Sequence, residues 1–392
     1  MTVTLRPGQL RGEIAAMPSK SDLHRLMIAA WLAGMDIDGL PVVSDDIAAT
    51  RECLAVSHTP PFGPPPLAKG GLAGLCQLNC RESGSTLRFL LPVFAALGRN
   101  VTFTGEGRLP ERPIQPLIDL LRGHGCTIDN GRLPIGVSGQ LRPGVFTLPG
   151  DVSSQYVTGL LFALPLLDGD SQIALTSPLQ SRGYVDMTLC TLNKFGVVIN
   201  ETACGFQVSG GQKYLPPEGP LVPDADWSNA AFWLAAGALG SGVRVTGLDE
   251  SSAQPDRVIA GLLKALPGEI DVSQCPDLAP ILAVAMALTP GERAIVNAAR
   301  LRLKESDRLH AMAVNLAALG ADVTELPDGL AVRGKASLRG GKADSFGDHR
   351  IAMAMAIAAL RCEGNVVLHN AQAVQKSYPE FWEDYQRLGG QK

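Results

Sequence analysis

Ser19–Gly34 reads SKSDLHRLMIAAWLAG, with Leu23, Leu26, Met27, Ala30 and Trp31 at i, i+3, i+4, i+7 and i+8, the stripe of an amphipathic helix. Pro18 with Ser19 or Ser21 marks its start. The same construction, a small or polar start running into an Ala-rich apolar helix, recurs as ESGSTLRFLLPVFAALG (82–98), DVSSQYVTGLLFALPLL (151–167), DADWSNAAFWLAAGALG (224–240), CPDLAPILAVAMAL (275–288) and GDHRIAMAMAIAAL (347–360). Six copies lie roughly 50 to 75 residues apart, too far for a solenoid repeat and suited to a module of several elements.

A second unit follows several copies: LIDLLRGHGCTIDNGRLPIGVSG (117–139), LCTLNKFGVVINETACGFQVSG (189–210) and LAALGADVTELPDGLAVRG (316–334). Each shows a helix end, a glycine at the C-cap and two short strands around a turn. The module therefore reads strand, helix, strand, helix, hairpin. Helices apolar on nearly all sides must be enclosed, so the expected arrangement puts them inside with sheets around them. Two copies are shortened. A Pro-rich stretch, SHTPPFGPPPLAKGG (57–71), stands as a stiff surface loop where the first hairpin belongs, and VIAGLLKALPGEI (258–270) runs almost directly into DVSQCPD (271–277).

Composition sets limits. A chain of 392 residues, 46% hydrophobic and 18% charged, buries large cores and is expected to form two domains. A net charge of −4 provides no global basic field, so neither nucleic acid nor a membrane surface is an expected partner, and anion binding must come from local clusters. The eight cysteines include no CxxC pair and no apolar signal stretch precedes the first motif, which points to reduced thiols and a cytoplasmic location. Cys76 and Cys80 read as incidental, the six histidines have no metal-ligand spacing, and no metal site is expected. Apolar runs such as IAMAMAIAAL fall short of the ~20 residues of a membrane span.

The cations are out of place. Lys20, Arg25, Arg88, Arg112, Lys304, Arg308, Arg350 and Lys376 lie at or just before helix starts, where the macrodipole is positive and acidic side chains are favoured. A single such residue is ordinarily a solvated surface group. Repetition at equivalent points of repeated modules, beside Gly, Ser or Thr, instead marks anion sites in which backbone N–H groups and added cations act together. Ser153, Ser154 and Gln155 share one helix start, and Ser181 and Tyr184 follow in LQSRGY; one hydroxyl suffices for a cap, and the surplus suits a phosphate on a polyhydroxylated ring. Asp277 is open to two readings, helix cap or proton-transfer group. Glu305 precedes Ser306, the expected cap, and either pairs with Arg308 or takes part in chemistry.

Nine fragments now stand in order across nearly the whole chain: SKSDLHR, ESGSTLR, ERPI, DVSSQY, SRGYVDMTL, PD, LKESDR, GDHR and QKSYPEFW. Together they closely resemble the 5-enolpyruvylshikimate-3-phosphate synthases, with LKESDRL and DHR the most specific part. The resemblance implies an α/β, two-domain inside-out barrel of six βαβαββ modules, three per domain, with internal helices and the active site in the interdomain cleft. By analogy residues 1–19 and 224–392 form one domain and residues 20–223 the other. The implied reaction joins the 5-hydroxyl of shikimate 3-phosphate to C2 of phosphoenolpyruvate while C3 is protonated; phosphate then leaves and C3 is deprotonated. It needs no cofactor and no metal, and a monomer is expected.

Carried over by position, Lys20, Ser21, Arg25, Ser153, Ser154, Gln155, Ser181, Tyr184, Asp277 and Lys304 resemble the holders of shikimate 3-phosphate. Lys20, Gly84, Arg112, Gln155, Arg308, Arg350 and Lys376 correspond to contacts of phosphoenolpyruvate. Asp277 matches the group at the reacting hydroxyl, Glu305 the proton donor and acceptor at C3, and Lys20 joins them as a catalytic residue bridging the two substrates. Three positions depart from the pattern: Glu82-Ser83-Gly84 replaces an NAG sequence, Arg300 stands where an Asn is common, and Gly347 replaces another Asn before DHR. Two other readings remain. One is an enolpyruvyl transferase of the same architecture acting on UDP-N-acetylglucosamine, whose loop cysteine motif is not seen; the other is a silent phosphometabolite-binding protein, which has no need of Lys20, Asp277, Glu305 and Lys376 together.

Overall fold

The computed structural model describes residues 1–56 and 76–392, so the Pro-rich stretch 57–71 lies outside the described residues. The chain divides into two compact units, Met1–Ser19 with Asp224–Lys392, and Lys20–Pro223. The two backbone passages between them begin and end in the first unit beside each other, where Ser19 N donates to Asp224 O at 2.7 Å and Asp226 N to Met17 O at 2.8 Å.

Among the described residues, mixed four-stranded sheets of one topology occur three times. In the unit Lys20–Pro223, strand Cys76–Asn79 leads through helix Gly84–Ala96 to Val101–Thr104, then helix Gln115–Gly123 and the hairpin Cys126–Ile128 with Ile135–Gly139. The first two strands pair parallel, which requires a crossover helix, and Ile135–Gly139 lies antiparallel between Val101–Thr104 and Cys126–Ile128. Val145–Leu148, Ser171–Leu175, Gly205–Val208 and Ile199–Thr202 repeat that order in the same unit. Glu269–Asp271, Gly291–Val296, Gly329–Gly334 and Asp322–Leu326 repeat it in the other.

Among the described residues the remaining copies show fewer paired strands. Helix Ile259–Ala265 is followed at once by strand Glu269–Asp271, so no hairpin intervenes; its module keeps only Gly242–Thr246 paired parallel with Arg11–Ala15. In the last module, Gly341–Asp344 and Val366–His369 pair parallel around helix His349–Ala359, and Val3–Leu5 from the N-terminus adds the antiparallel strand. Among the described residues of 20–56 there are two helices, Lys20–Leu32 and Asp45–Val56, and no strand.

The helices are enclosed as their composition demands. Every residue of Ala279–Ala287 and of His349–Ala359 is buried, and alanine's small side chain lets helix axes approach closely without voids. Two helices of the other unit, Gly84–Ala96 and Ser154–Ala163, meet at Gly159, where any Cβ would collide with the carbonyl oxygen of Arg88. That contact sets the distance between the starts of these two helices, which carry polar side chains. No helix among the described residues is long and apolar enough to cross a membrane, and all eight cysteines are free thiols.

Candidate active site

In the unit Lys20–Pro223, the expected residues gather at helix starts. Ser83 caps helix Gly84–Ala96 by accepting from Thr86 N, and a Cβ on Gly84 would stand 2.9 Å from Arg112 Nη1 and closer still to Arg88 Nη1. The absence of a side chain at Gly84 leaves room for two guanidinium groups to converge on this helix start, which is the composition of an anion site. Arg88 is fixed by Nη1 donating to Gln155 Oε1 at 3.0 Å and Nη2 to Pro113 O at 2.8 Å. Gln155 Nε2 donates onward to Ser85 Oγ at 2.9 Å. Ser153 accepts from Gln155 N at 3.3 Å and caps the helix in which Ser154 is buried. Ser181 is buried and holds φ of 55°, a left-handed conformation that costs a serine roughly 1–2 kcal/mol and is typical of functional turns.

Lys20 and Arg25 are placed differently from each other. Lys20 Nζ donates to Asp46 Oδ2 at 2.9 Å, a partner the sequence reading missed. Arg25 is buried, donating from Nε to Thr188 Oγ1 at 2.9 Å, from Nη2 to Tyr184 O at 2.7 Å and from Nη1 to Ser21 O. It also lies over the Phe89 ring at 5.3 Å. Burial lowers its pKa to about 10 against the opposing charge of Asp22, so it stays cationic at neutral pH. Its bonds to Thr188 and Tyr184 fasten helix Lys20–Leu32 to helix Arg182–Lys194 and so place Ser21 near Tyr184.

The other unit holds a cluster centred on Arg308, which is 2% exposed. Nε donates to Asp348 Oδ2 at 2.7 Å, Nη1 to Asp277 Oδ1 at 2.8 Å and Nη2 to Glu305 Oε2 at 2.8 Å. Arg350 Nη2 donates to Asp277 Oδ2 at 2.8 Å, and Lys304 Nζ lies 3.9 Å from Asp277 Oδ1. Lys304, Arg308 and Arg350 therefore face Asp277, Glu305 and Asp348, three charges of each sign. Buried guanidinium groups need counter-charges, and carboxylates supply them here, the Glu305–Arg308 pair among them as one of the two sequence readings of Glu305 has it. Lys376, at the end of the turn Ala371–Lys376, is buried in the same unit.

Two local readings change. Asp277 is not a helix cap: it lies in the turn Pro276–Leu278, and its carboxylate faces Arg308 and Arg350. Ser306 is not the cap of the following helix, because Asp307 accepts from His310 N at 3.1 Å, leaving Ser306 Oγ to donate to Asp348 Oδ2 at 3.1 Å. Burial by itself would raise the Asp277 carboxyl, and Arg350, Lys304 and Arg308 overcome it and hold the group well below the usual carboxylate range. A carboxylate so stabilised is a weak base as it stands, and it gains basicity when an incoming anion draws those cations away.

The family model described as EPSP synthase (3-phosphoshikimate 1-carboxyvinyltransferase) matches residues 5–267 and 257–385. The chain belongs to the EPSP synthase family. A protein of Clostridium kluyveri named 3-phosphoshikimate 1-carboxyvinyltransferase is 42% identical over 99% of this chain and 97% of its own length; one of Clostridium novyi with that name is 41% identical over 99% and 97%. An EPSP synthase structure from Acinetobacter baumannii superposes with a TM-score of 0.78 over 99% of this chain and 98% of that one at 24% identity, which is a likeness of fold.

The three departures from the EPSP synthase pattern have physical accounts. Gly347 has φ of 72° with open space around it, a conformation that Gly and Asn share, so the exchange keeps the backbone. The Glu82 carboxylate packs over Gly107, which has no side chain to obstruct it. Arg300 Nη2 donates to Ser273 O at 3.0 Å, tying its turn to the loop after strand Glu269–Asp271.

Proposed function

We propose that the protein is a 3-phosphoshikimate 1-carboxyvinyltransferase, transferring the enolpyruvyl group of phosphoenolpyruvate to the 5-hydroxyl of shikimate 3-phosphate with release of phosphate. The match to relatives of that name along nearly all of both chains carries this reading. The geometry supports it. Two polyanionic substrates repel each other, and cationic helix starts of the kind seen at Gly84 and Arg350 offset that repulsion and orient the reactants.

In this reading Gly84, Arg112, Arg308, Arg350 and Lys376 hold phosphoenolpyruvate, and Ser21, Arg25, Ser153, Ser154, Ser181 and Tyr184 hold shikimate 3-phosphate. Lys20, Gln155 and Lys304 serve both. Asp277 accepts a hydrogen bond from the reacting 5-hydroxyl. As phosphate oxygens compete for Arg308 and Arg350, its carboxylate becomes basic enough to take the proton while the hydroxyl oxygen bonds to C2. Glu305 delivers a proton to C3 and removes one when phosphate departs. The finer architecture belongs to the same proposal: six modules, three per unit, with the two residue sets acting on one substrate pair in an interdomain cleft. So do a monomeric state and a cytoplasmic location.

Phosphate release measured with shikimate 3-phosphate and with UDP-N-acetylglucosamine, each with phosphoenolpyruvate, tests it. Turnover with the first alone supports the reading. Turnover with the second alone assigns the other transferase reaction, and release with neither leaves a binding protein.

A further inference from the structure

A chain of buried hydroxyls runs through the unit Lys20–Pro223 beneath the Gly84 site. His24 Nδ1 lies 2.8 Å from Thr50 Oγ1, Thr50 Oγ1 lies 2.6 Å from Thr86 Oγ1, and Thr86 Oγ1 donates to Ser83 Oγ at 2.7 Å. His24, Thr50, Thr86 and Ser83 are each at most 1% exposed. Their neighbours in the same helices are core residues such as Leu23, Ile47, Leu87 and Phe89.

Each member belongs to a helix whose start bears a group of the proposed site. His24 is one turn into the helix that begins at Lys20. Thr50 is one turn beyond Asp46, the partner of Lys20 Nζ. Thr86 and Ser83 form the first turn of the helix that begins at Gly84, where Arg88 and Arg112 converge. A helix is stiff over one turn, so fixing the side chains at these positions fixes the starts themselves.

Valine has almost the shape of threonine and carries no desolvation cost, so a core selected for stability alone has no use for hydroxyls at Thr50 and Thr86. A buried chain of directional hydrogen bonds instead favours one arrangement among several of similar packing energy. Hydrogen bonds are directional in a way that Leu, Ile and Phe contacts are not, and three helix starts must agree in position for Lys20, held by Asp46, to meet the same ligand as Gly84.

We infer that Thr50 and Thr86 are positioning residues of the phosphoenolpyruvate site, setting the relative placement of the three helix starts through the His24–Thr50–Thr86–Ser83 chain. The inference rests on the function proposed above. Neither threonine touches substrate; both act through Lys20 and the Gly84 helix start.

The test uses the full chain with Thr50→Val, Thr50→Ser and Thr50→Ala. The parent enzyme is assayed first with both substrates, and absence of turnover there rejects the functional reading without bearing on the hydroxyl chain. With turnover established, Thr50→Val raises KM for phosphoenolpyruvate about tenfold and raises KM for shikimate 3-phosphate by a clearly smaller factor, because Gly84 and Arg112 serve the first alone, whereas Ser153, Ser154 and Ser181 lie outside the chain and only Lys20 and its helix start are shared. Thr50→Ser, which keeps the hydroxyl, stays within about twofold of the parent for both. Calorimetric binding of phosphoenolpyruvate to the enzyme in the absence of shikimate 3-phosphate reports the same loss without turnover. Should Thr50→Val fold poorly, Thr50→Ala takes its place, with the same split between the two KM values expected. Equal KM values for parent and variant, with only Tm or the active fraction lowered, overturn the inference, as does a Thr50→Ser enzyme no better than Thr50→Val.

Discussion

Arg308 donates from Nη1 to the Asp277 carboxylate at 2.8 Å, although Arg308 is 2% exposed and the Asp277 side chain 21%. One end of this pair is sealed in protein and the other reaches the surface. The sealed end is bound to Asp348, itself 0% exposed, so the buried arginine transmits the rigidity of the core to a carboxylate available to a ligand.

Removing the arginine takes the guanidinium partner from buried Asp348 and from Glu305, while Asp277 keeps Arg350 and Lys304. Arg308→Met is expected to destabilise the protein by about 3–5 kcal/mol at pH 7, since an unpaired buried charge costs far more than the intact pair contributes. Urea unfolding of parent and variant measures the difference, and a loss under about 1 kcal/mol would show that water or neighbouring cations compensate.

Acid stability follows from the same carboxylates. Asp277 and Asp348 are both held below the usual range: burial opposes ionisation in each, and the adjoining arginines prevail. A depressed carboxylate contributes stability that is present above its unfolded pKa of about 4 and is lost as pH falls through the folded value. The parent is therefore expected to lose stability steadily below about pH 4. Asp348→Asn flattens that acid limb while lowering stability at pH 7. Urea midpoints between pH 2.5 and 7 read both effects, and an unchanged acid slope would remove Asp348 from the account.

How much of this was legible in the chain depends on the range of the interaction. Helix starts are local, so the positions of Lys20, Gly84, Ser153 and Arg308 at or beside them could be read from a few neighbouring residues. So could the repeated strand, helix and hairpin order, which the three four-stranded sheets display. Asp46 and Asp348 were missed because each meets its cation across 26 and 40 residues of chain, and no spacing rule encodes such a partner. The Arg88–Gln155 bond depends on two helices touching at Gly159, a fact of packing invisible in either segment alone. The Ser306 expectation failed for a different reason. Two capping residues stood side by side, and Asp348 took the hydroxyl of the first.

Gly84→Ala tests the converging guanidinium groups. The backbone there is helical and tolerates alanine, so stability should change by less than about 1 kcal/mol. The new Cβ meets Arg88 Nη1 first and Arg112 Nη1 at 2.9 Å, and must displace the ends of both guanidinium side chains. KM for phosphoenolpyruvate is expected to rise about tenfold or more, with KM for shikimate 3-phosphate near the parent value. Steady-state kinetics with each substrate varied in turn decides it, and unchanged KM for phosphoenolpyruvate would place its binding away from Gly84.

Glu305 joins structure to chemistry most directly. Its Oε2 accepts from Arg308 Nη2 at 2.8 Å, and 14% of its side chain is exposed, so the buried guanidinium holds one oxygen while the group still reaches the surface. Glu305→Gln keeps an acceptor for Arg308 and nearly the same volume, while it removes the negative charge and the ability to gain and lose a proton. Turnover should fall by roughly 10²–10⁴, the usual worth of a positioned acid–base group. Calorimetric affinity for shikimate 3-phosphate should stay within about twofold, since no holder of that substrate has been altered. Loss of binding together with turnover would make Glu305 a structural partner of Arg308, and full activity would take it out of the proton transfers at C3.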